Sequence, residues 1–505
     1  MPAKVFSGAT IGLECILVEV EVDVLTRGMH QFNVVGLPDA AIKESRDRVS
    51  AALKNSGFRP PHQSGRVTVN LAPADLPKNS TIYDLPIALS FLVATKQLSF
   101  PVQDKFFIGE LALDGDVRRV QGVLPLVLFA KRQGFAEIYV PEGNKEEASL
   151  VQGIAIYPVK KLSAIVLHLE GKQKLSLVTL PPEKNPTPDY PYDMAFIKGQ
   201  AHAKRALEIA AAGGHNILMV GPPGSGKTLL AKTLPSILPS LSFDESLEIT
   251  QIFSIAGRLM RDIGLLSERP FRAPHHGASG VALIGGGTLP RPGEISLAHR
   301  GVLFLDEFAE FPRAVLEALR QPLEDGVVMV SRAKGTLSFP ARFMLVAAMN
   351  PCPCGHHGDP ERVCGCSTYQ IQKYRQKVSG PILDRIDLHI DVPRLKFEAL
   401  DEKRLAEPSS ALRERVEKAR TLQRERFVEA GWLSNAEMDN RSLETYCVLD
   451  APTKVLLKNA VTLYKLSPRA YTRILKLART IADLAGEEKI AESHVAEALQ
   501  YRFKE

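Results

Sequence analysis

Gly221-Pro222-Pro223-Gly224-Ser225-Gly226-Lys227-Thr228 follows directly on the apolar run Ile217-Leu218-Met219-Val220. Together they complete the pattern G-x-x-x-x-G-K-[ST] in the context it requires, a buried strand feeding a glycine-rich turn and then a helix, here expected over Leu229 to Leu234. The glycines let successive backbone N–H groups turn toward a polyphosphate, Lys227 adds a point charge, and the Thr228 hydroxyl is placed to hold Mg²⁺. Gly221, Pro222, Pro223, Gly224, Ser225, Gly226, Lys227 and Thr228 are therefore the expected ATP-binding loop of an α/β, P-loop NTPase core.

A second buried-strand run, Gly301-Val302-Leu303-Phe304-Leu305, ends in Asp306-Glu307. An acid at that position can bind Mg²⁺ through water, and the acid beside it can polarise the attacking water, which points to hydrolysis of ATP. A third strand, expected over Phe343 to Ala348, ends at Met349-Asn350, where an amide can orient water against the γ phosphate in the role called sensor 1. Arg385 lies in the polar turn Leu383-Asp384-Arg385-Ile386-Asp387, where it can reach a neighbouring subunit's nucleotide as an arginine finger. The competing reading of Arg385 is an ion pair to Asp384 or Asp387. Arg469, in Ser467-Pro468-Arg469-Ala470, is the candidate for sensor 2, with Arg473 one turn later as its rival.

The chain has 505 residues, 45% of them hydrophobic, which is room for roughly three domains at ~150 residues each. No apolar stretch approaches the ~20 residues a membrane span needs. Met1-Pro2-Ala3-Lys4-Val5-Phe6 shows no charged region followed by an apolar block, so a cytoplasmic protein is expected. A formal net charge of +6 permits nucleic acid as a partner without requiring it. Most of the basic residues at Lys373, Arg375 and Lys377, and at Arg473, Lys476 and Arg479, read as solvated helix faces or nucleotide sensors.

Between Leu180 and Tyr192 stand five prolines, which forbid helix or central strand and mark an interdomain linker. The expected organisation is an α+β domain over 1–175, the linker over 176–194, the ATPase core over 195–392 and a helical lid over 393–505. In the first of these, alternating runs at Ile16 to Val24, Gly65 to Leu71 and Glu137 to Val140 mix with helical patterns at Ala40 to Ser56 and Leu85 to Thr95.

Four of the six cysteines fall in one short segment: Cys352, Cys354, Cys364 and Cys366. In a cytoplasmic protein, thiols this close point to a metal rather than to disulfides. A structural Zn²⁺ within an insertion over 350–368 is expected; the C-x-C spacing is unusual for a zinc finger, and His356 or His357 can replace one ligand. Cys15 and Cys447 read as core residues.

These residues carry a resemblance that extends over essentially the whole chain. Phe196-Ile197-Lys198-Gly199-Gln200, the run Ala203 to Asn216 leading into the P-loop, the cysteine cluster after Asn350, and Ala478-Arg479-Thr480-Ile481-Ala482-Asp483-Leu484 resemble the magnesium-chelatase-like AAA+ ATPases, in particular the bacterial ComM/YifB group. The resemblance implies an AAA+ core with a helical lid, assembled as a hexameric ring, and a helicase that promotes DNA branch migration during natural transformation. It also implies two insertions facing the ring's channel, one near Gly277 to Ile295 and a hairpin within Val327 to Phe343 with its turn at Lys334-Gly335. Arg332 and Lys334 are the candidates for phosphate contacts to DNA, single-stranded or branched.

Residues 1 to about 175 resemble the Lon protease domain and the ribosomal S5 domain 2-like fold, in Pro77-Lys78-Asn79-Ser80 to Ile87-Ala88 and in Gly109-Glu110-Leu111 to Pro141. Such a protease needs a Ser nucleophile and an activating Lys. Asp84 stands where the serine belongs and Leu124 where the lysine belongs, so a noncatalytic domain is expected. A chelatase-type remodeller acting through a partner protein is the alternative to the DNA motor, and a Lon-like protease is a third reading.

Overall fold

Strand Glu14–Leu25 pairs antiparallel with Ala3–Ile11 on one side, Val20 opposite Val5, and with Arg66–Ala72 on the other, Val20 opposite Leu71. The period of two puts Val18, Val20 and Val22 beside Val67, Val69 and Leu71 on one buried face. These strands belong to a mixed seven-stranded sheet in the order Gln31–Val35, Arg66–Ala72, Glu14–Leu25, Ala3–Ile11, Lys105–Phe107, Glu137–Pro141, Ala155–Val159. Helices Asp84–Ala94 and Val123–Arg132 pack on the central pair, and Ala40–Asn55 packs on Asp84–Ala94. The architecture is that of a computed structural model, which describes residues 2–26, 30–36, 40–74, 81–178, 190–260, 264–287, 290–332, 335–395 and 405–502. Residues 179–189 of the proline-rich linker, the stretch Pro77-Lys78-Asn79-Ser80, and Lys334 lie outside the described residues.

A second sheet has five strands, all parallel, in the order Phe271–Arg272, Val302–Leu305, Met344–Met349, Ile217–Val220, Leu388–Asp391. Its central strands are apolar throughout because both faces are covered. Ile217 and Met219 point into a core shared with the C-terminal helices, including Val416 of Ser409–Arg426 and Ile474 and Leu477 of Pro468–Ala485. Leu218, Leu303 and Leu345 point the other way, into a core closed by Val328, Val330 and Phe339 of the hairpin Val327–Arg332 with Gly335–Pro340. Fold class is thus mixed α/β, with a parallel nucleotide-binding-type sheet behind an α+β N-terminal unit.

The hairpin register pairs Arg332 with Gly335. Gly335 therefore opens the second strand, one position away from the turn expected at Lys334-Gly335, because the six-residue strands match in length only with the turn centred ahead of it. At the hairpin's flank, Leu13 of the first N-terminal turn packs into the same core as Phe339. The N-terminal unit also meets the helix Phe243–Ile255, where Leu247 joins its core, Ser254 donates to Glu147, and Arg119 donates to the Leu259 carbonyl at 3.1 Å.

Candidate nucleotide site and its arginine cleft

The order of the parallel sheet brings three loops to one edge: those leaving Ile217–Val220, Val302–Leu305 and Met344–Met349. In open α/β sheets this carboxyl edge is where ligands bind. Gly221 has no room for a side chain, since a Cβ there would meet the Val392 carbonyl at 2.1 Å, and Gly226 takes φ +92 with open space above it before helix Lys227–Thr233.

Lys227 is buried, and its ammonium donates to the Gly221 and Pro222 carbonyls at 2.7 and 2.9 Å and reaches Asn350 Oδ1 at 3.5 Å. Burial pulls its pKa down, against the pull of Asp306. Thr228 Oγ1 donates to Asp306 Oδ2 at 2.7 Å, so two oxygens suited to Mg²⁺ stand side by side. Glu307 has left-handed backbone at φ +52, and its N–H donates to Asp306 Oδ1 at 2.9 Å. Its own carboxylate, half-exposed, is met by His276 Nδ1 at 2.8 Å. His276 comes from the segment that runs into the short helix Gly280–Ile284, within the expected channel insertion. The signal available in the sequence was the doublet His275-His276 just ahead of that insertion; nothing in its spacing named Glu307 as the partner.

The four cysteine sulfurs lie within 4.8 Å of one another, and Cys352, Cys354 and Cys364 are separated pairwise by 3.4, 3.7 and 3.6 Å. Four sulfurs at ~2.3 Å around a tetrahedral Zn²⁺ stand about 3.8 Å apart, so the donor set fits that ion. The His356 backbone N–H, with its neighbouring thiols, lowers Cys354 to about 6, favouring the thiolate a metal needs. His356 instead faces Asp359, Nδ1 to Oδ2 at 3.5 Å, and among the described residues only the four cysteines form a ligand group. The knuckle abuts the P-loop: a Cβ on Gly355, which has φ +82, would meet Pro223 Cδ at 2.7 Å.

Arg385 and Arg469 are brought together, away from this edge. Arg385 pairs with Glu324 rather than with Asp384 or Asp387, and donates to the Pro381 carbonyl at 2.8 Å. Arg469 Nη2 meets the other oxygen of Glu324 at 3.2 Å. Asp387 is engaged by Arg473, by the Asn216 N–H at 2.9 Å and by His215 at 3.6 Å. Burial works against ionisation of Asp387, yet Arg473 and His215 more than offset it and hold the carboxyl well below its usual range. Arg473 thereby ties the helix Pro468–Ala485 to the sheet, whereas Arg469 pairs with Glu324. That cleft, about 530 Å³, is lined by Glu324, Arg385, Asp387, Arg469, Arg473 and Lys476 among others. Asn216 and Asp387 mark the amino ends of strands Ile217–Val220 and Leu388–Asp391, so a strand length, roughly 13 Å, separates the two arginines from the chain's own phosphate loop.

Arg332 ends the first hairpin strand. In the N-terminal unit Asp84 is fully buried and paired with Arg48 at 2.8 and 3.3 Å, and Leu124 is a buried core residue. Neither can act as nucleophile or as amine base. Among the described residues no helix is long and apolar enough to cross a membrane.

Three family profiles match the chain: "Magnesium chelatase, subunit ChlI" over residues 193–400, "Subunit ChlI of Mg-chelatase" over 20–144, and "Magnesium chelatase, subunit ChlI C-terminal" over 406–502. The competence protein ComM of Haemophilus influenzae is 47% identical over 506 residues, covering 99% of this chain and 97% of that protein. The YifB protein of Escherichia coli K12 is 41% identical over 99% of the chain and 96% of its own length. A shorter match, 36% identical over 80 residues, joins 16% of the chain to 12% of an archaeal Lon protease of Methanocaldococcus jannaschii. On end-to-end similarity to ComM and YifB, together with three chelatase-type profiles, the chain belongs to the ComM/YifB family of magnesium-chelatase-like proteins.

Proposed function

We propose that the chain is an ATP-hydrolysing ring motor that works on DNA, in the competence-associated role that the name of its Haemophilus relative carries. One observation bears most of the weight for a shared active site: Arg385 and Arg469 meet at Glu324, a strand length from their own P-loop. Arginines so placed suit the nucleotide of a neighbour. Hydrolysis then requires assembly, as a hexamer in this reading.

Within a subunit, the amides of Gly221 to Thr228 and the Lys227 ammonium hold the phosphates. Thr228 and Asp306 would hold Mg²⁺, which supplies charge neutralisation between the phosphates. Glu307 takes the proton of the attacking water, and Asn350, already linked to Lys227, orients that water. Cys352, Cys354, Cys364 and Cys366 would hold a structural Zn²⁺ that pins the segment after Asn350 against the P-loop. Arg332, which ends the first hairpin strand, and Lys334 contact phosphates of a single strand or a branched junction. We further assign residues 1–175 to a noncatalytic domain, 195–392 to the ATPase core and 393–505 to the lid, in a cytoplasmic protein.

The test is ATP hydrolysis with and without single-stranded and forked DNA, with strand displacement followed in the same tubes and Lys227→Ala as control. DNA-stimulated hydrolysis coupled to displacement, both lost in the control, supports the motor. Robust hydrolysis indifferent to every DNA moves the weight to a chelatase-like remodeller of a partner protein.

A further inference from the structure

Arg385 and Arg469 come from separate elements, the turn after helix Gly380–Leu383 and the first turn of helix Pro468–Ala485. One carboxylate holds both. Glu324 gives one oxygen to Arg385 Nη2 and the other to Arg469 Nη2 at 3.2 Å, so the directions of the two guanidiniums are fixed by a single side chain. The hold is weak by construction, because Glu324 and Arg469 are each half-exposed. Arg385, by contrast, is buried, and its Nε has no acceptor among the described residues. A triphosphate, with more charge than one carboxylate, outcompetes Glu324 for both.

Glu324 also stands at a mechanical junction. It lies in the last turn of helix Arg320–Asp325, and Gly326 alone separates that helix from the hairpin strand Val327–Arg332. The Gly326 carbonyl accepts the Ala341 N–H at 2.7 Å, closing the hairpin's base, while Val328, Val330 and Phe339 are buried. Only Gly326, with left-handed backbone at φ +67, stands between helix and hairpin.

We propose that Glu324 is a positioning residue that holds Arg385 and Arg469 as a unit until a neighbouring subunit's triphosphate takes them, and that its release passes the neighbour's nucleotide state to the hairpin. The inference rests on the reading of these arginines as acting between subunits.

The experiment uses the full-length assembled protein and no DNA: kcat and KM for ATP in wild type, Glu324→Gln, Glu324→Asp and Arg385→Ala, with assembly mass checked for each. Glu324→Gln is expected to raise kcat about threefold, the scale of surrendering one exposed ion pair, with KM unchanged. Glu324→Asp, which keeps the charge, returns kcat toward wild type. In parallel, trypsin cleavage after Arg332 and Lys334 is followed with and without a non-hydrolysable ATP analogue. Wild type should show a nucleotide-dependent cleavage rate that Glu324→Gln loses. If Glu324→Gln keeps wild-type kcat, or falls as far as Arg385→Ala, the hold is overturned; if the wild type shows no nucleotide-dependent cleavage, or both proteins show the same dependence, the relay to the hairpin is overturned. An Arg385→Ala protein that hydrolyses ATP at the wild-type rate instead overturns the intersubunit reading itself, and the latch falls with it.

Discussion

Lys227 and Thr228 are neighbours in sequence with different partners: one amine bonded to the loop carbonyls and Asn350, one hydroxyl bonded to Asp306. That division follows from a helix start, where consecutive side chains leave in different directions. Glu307 is the residue on which hydrolysis turns in this account. Glu307→Gln should cut kcat by about 10²–10⁴ while leaving nucleotide binding intact, as seen by comparing turnover with a binding titration. His276→Ala removes the contact that His276 Nδ1 makes with the Glu307 carboxylate at 2.8 Å and should lower kcat by roughly three- to tenfold with KM unchanged. Asp306-Glu307 was legible because the acids end an apolar strand run. His276 and Glu324 were not, because a meeting of side chains across distant segments leaves no spacing to read. For Arg385 the sequence offered two adjacent acids as ion-pair partners, whereas the fold claims Asp387 for Arg473 and brings in Glu324 from a helix some sixty residues upstream.

At the scale of elements, the four-cysteine segment and the P-loop pack against each other at Gly355 and Pro223. Gly355 needs left-handed backbone and contacts Pro223, so Gly355→Ala should destabilise by about 1–2 kcal/mol and weaken nucleotide binding, read by thermal unfolding and by titration. Cys354→Ser should lower the metal content and the melting temperature together, and chelation of the wild type should reproduce both. The three central parallel strands were readable as continuous apolar runs, whereas the flanking strands Phe271–Arg272 and Leu388–Asp391, short or interrupted by polar residues, were not. Strand ends were less legible: the third central strand runs Met344–Met349 where Phe343 to Ala348 was expected, and Gly335, expected in the hairpin turn, instead opens the second hairpin strand. Both slips have the same origin, because hydrophobicity marks a buried strand without marking which residue makes its last ladder bond. His356, an alternative ligand by spacing, faces Asp359 in the fold, a pairing that no spacing announces.

Over the whole molecule, the C-terminal helices are joined to the sheet by one apolar core and by buried titratable groups. His389 is held down to about 4 by burial and by Arg502, and Asp387 is held low by Arg473 and His215. Both folded values lie below the unfolded ones, so both contributions are complete at neutral pH and are lost as pH falls. The His389 contribution should fade between about 6.5 and about 4, and that of Asp387 below the usual carboxylate range. Urea unfolding across this range should show stability falling on acidification, with the upper part of the fall reduced but not abolished in His389→Asn, because burial holds His215 and His299 down as well. The N-terminal unit, docked on helix Phe243–Ile255 and beside the hairpin, carries no Ser–Lys protease pair, since Asp84 and Leu124 stand in those places. The central claim is that each active site is built from two subunits, and mixing tests it directly. Lys227→Ala and Arg385→Ala proteins, each inactive alone, are mixed in equal amounts under conditions that allow subunit exchange, and ATP hydrolysis is measured. Random assembly places an intact P-loop against an intact arginine at roughly a quarter of interfaces, so recovery toward a quarter of wild-type activity is predicted; no recovery on mixing, or full activity of Arg385→Ala on its own, would contradict the account.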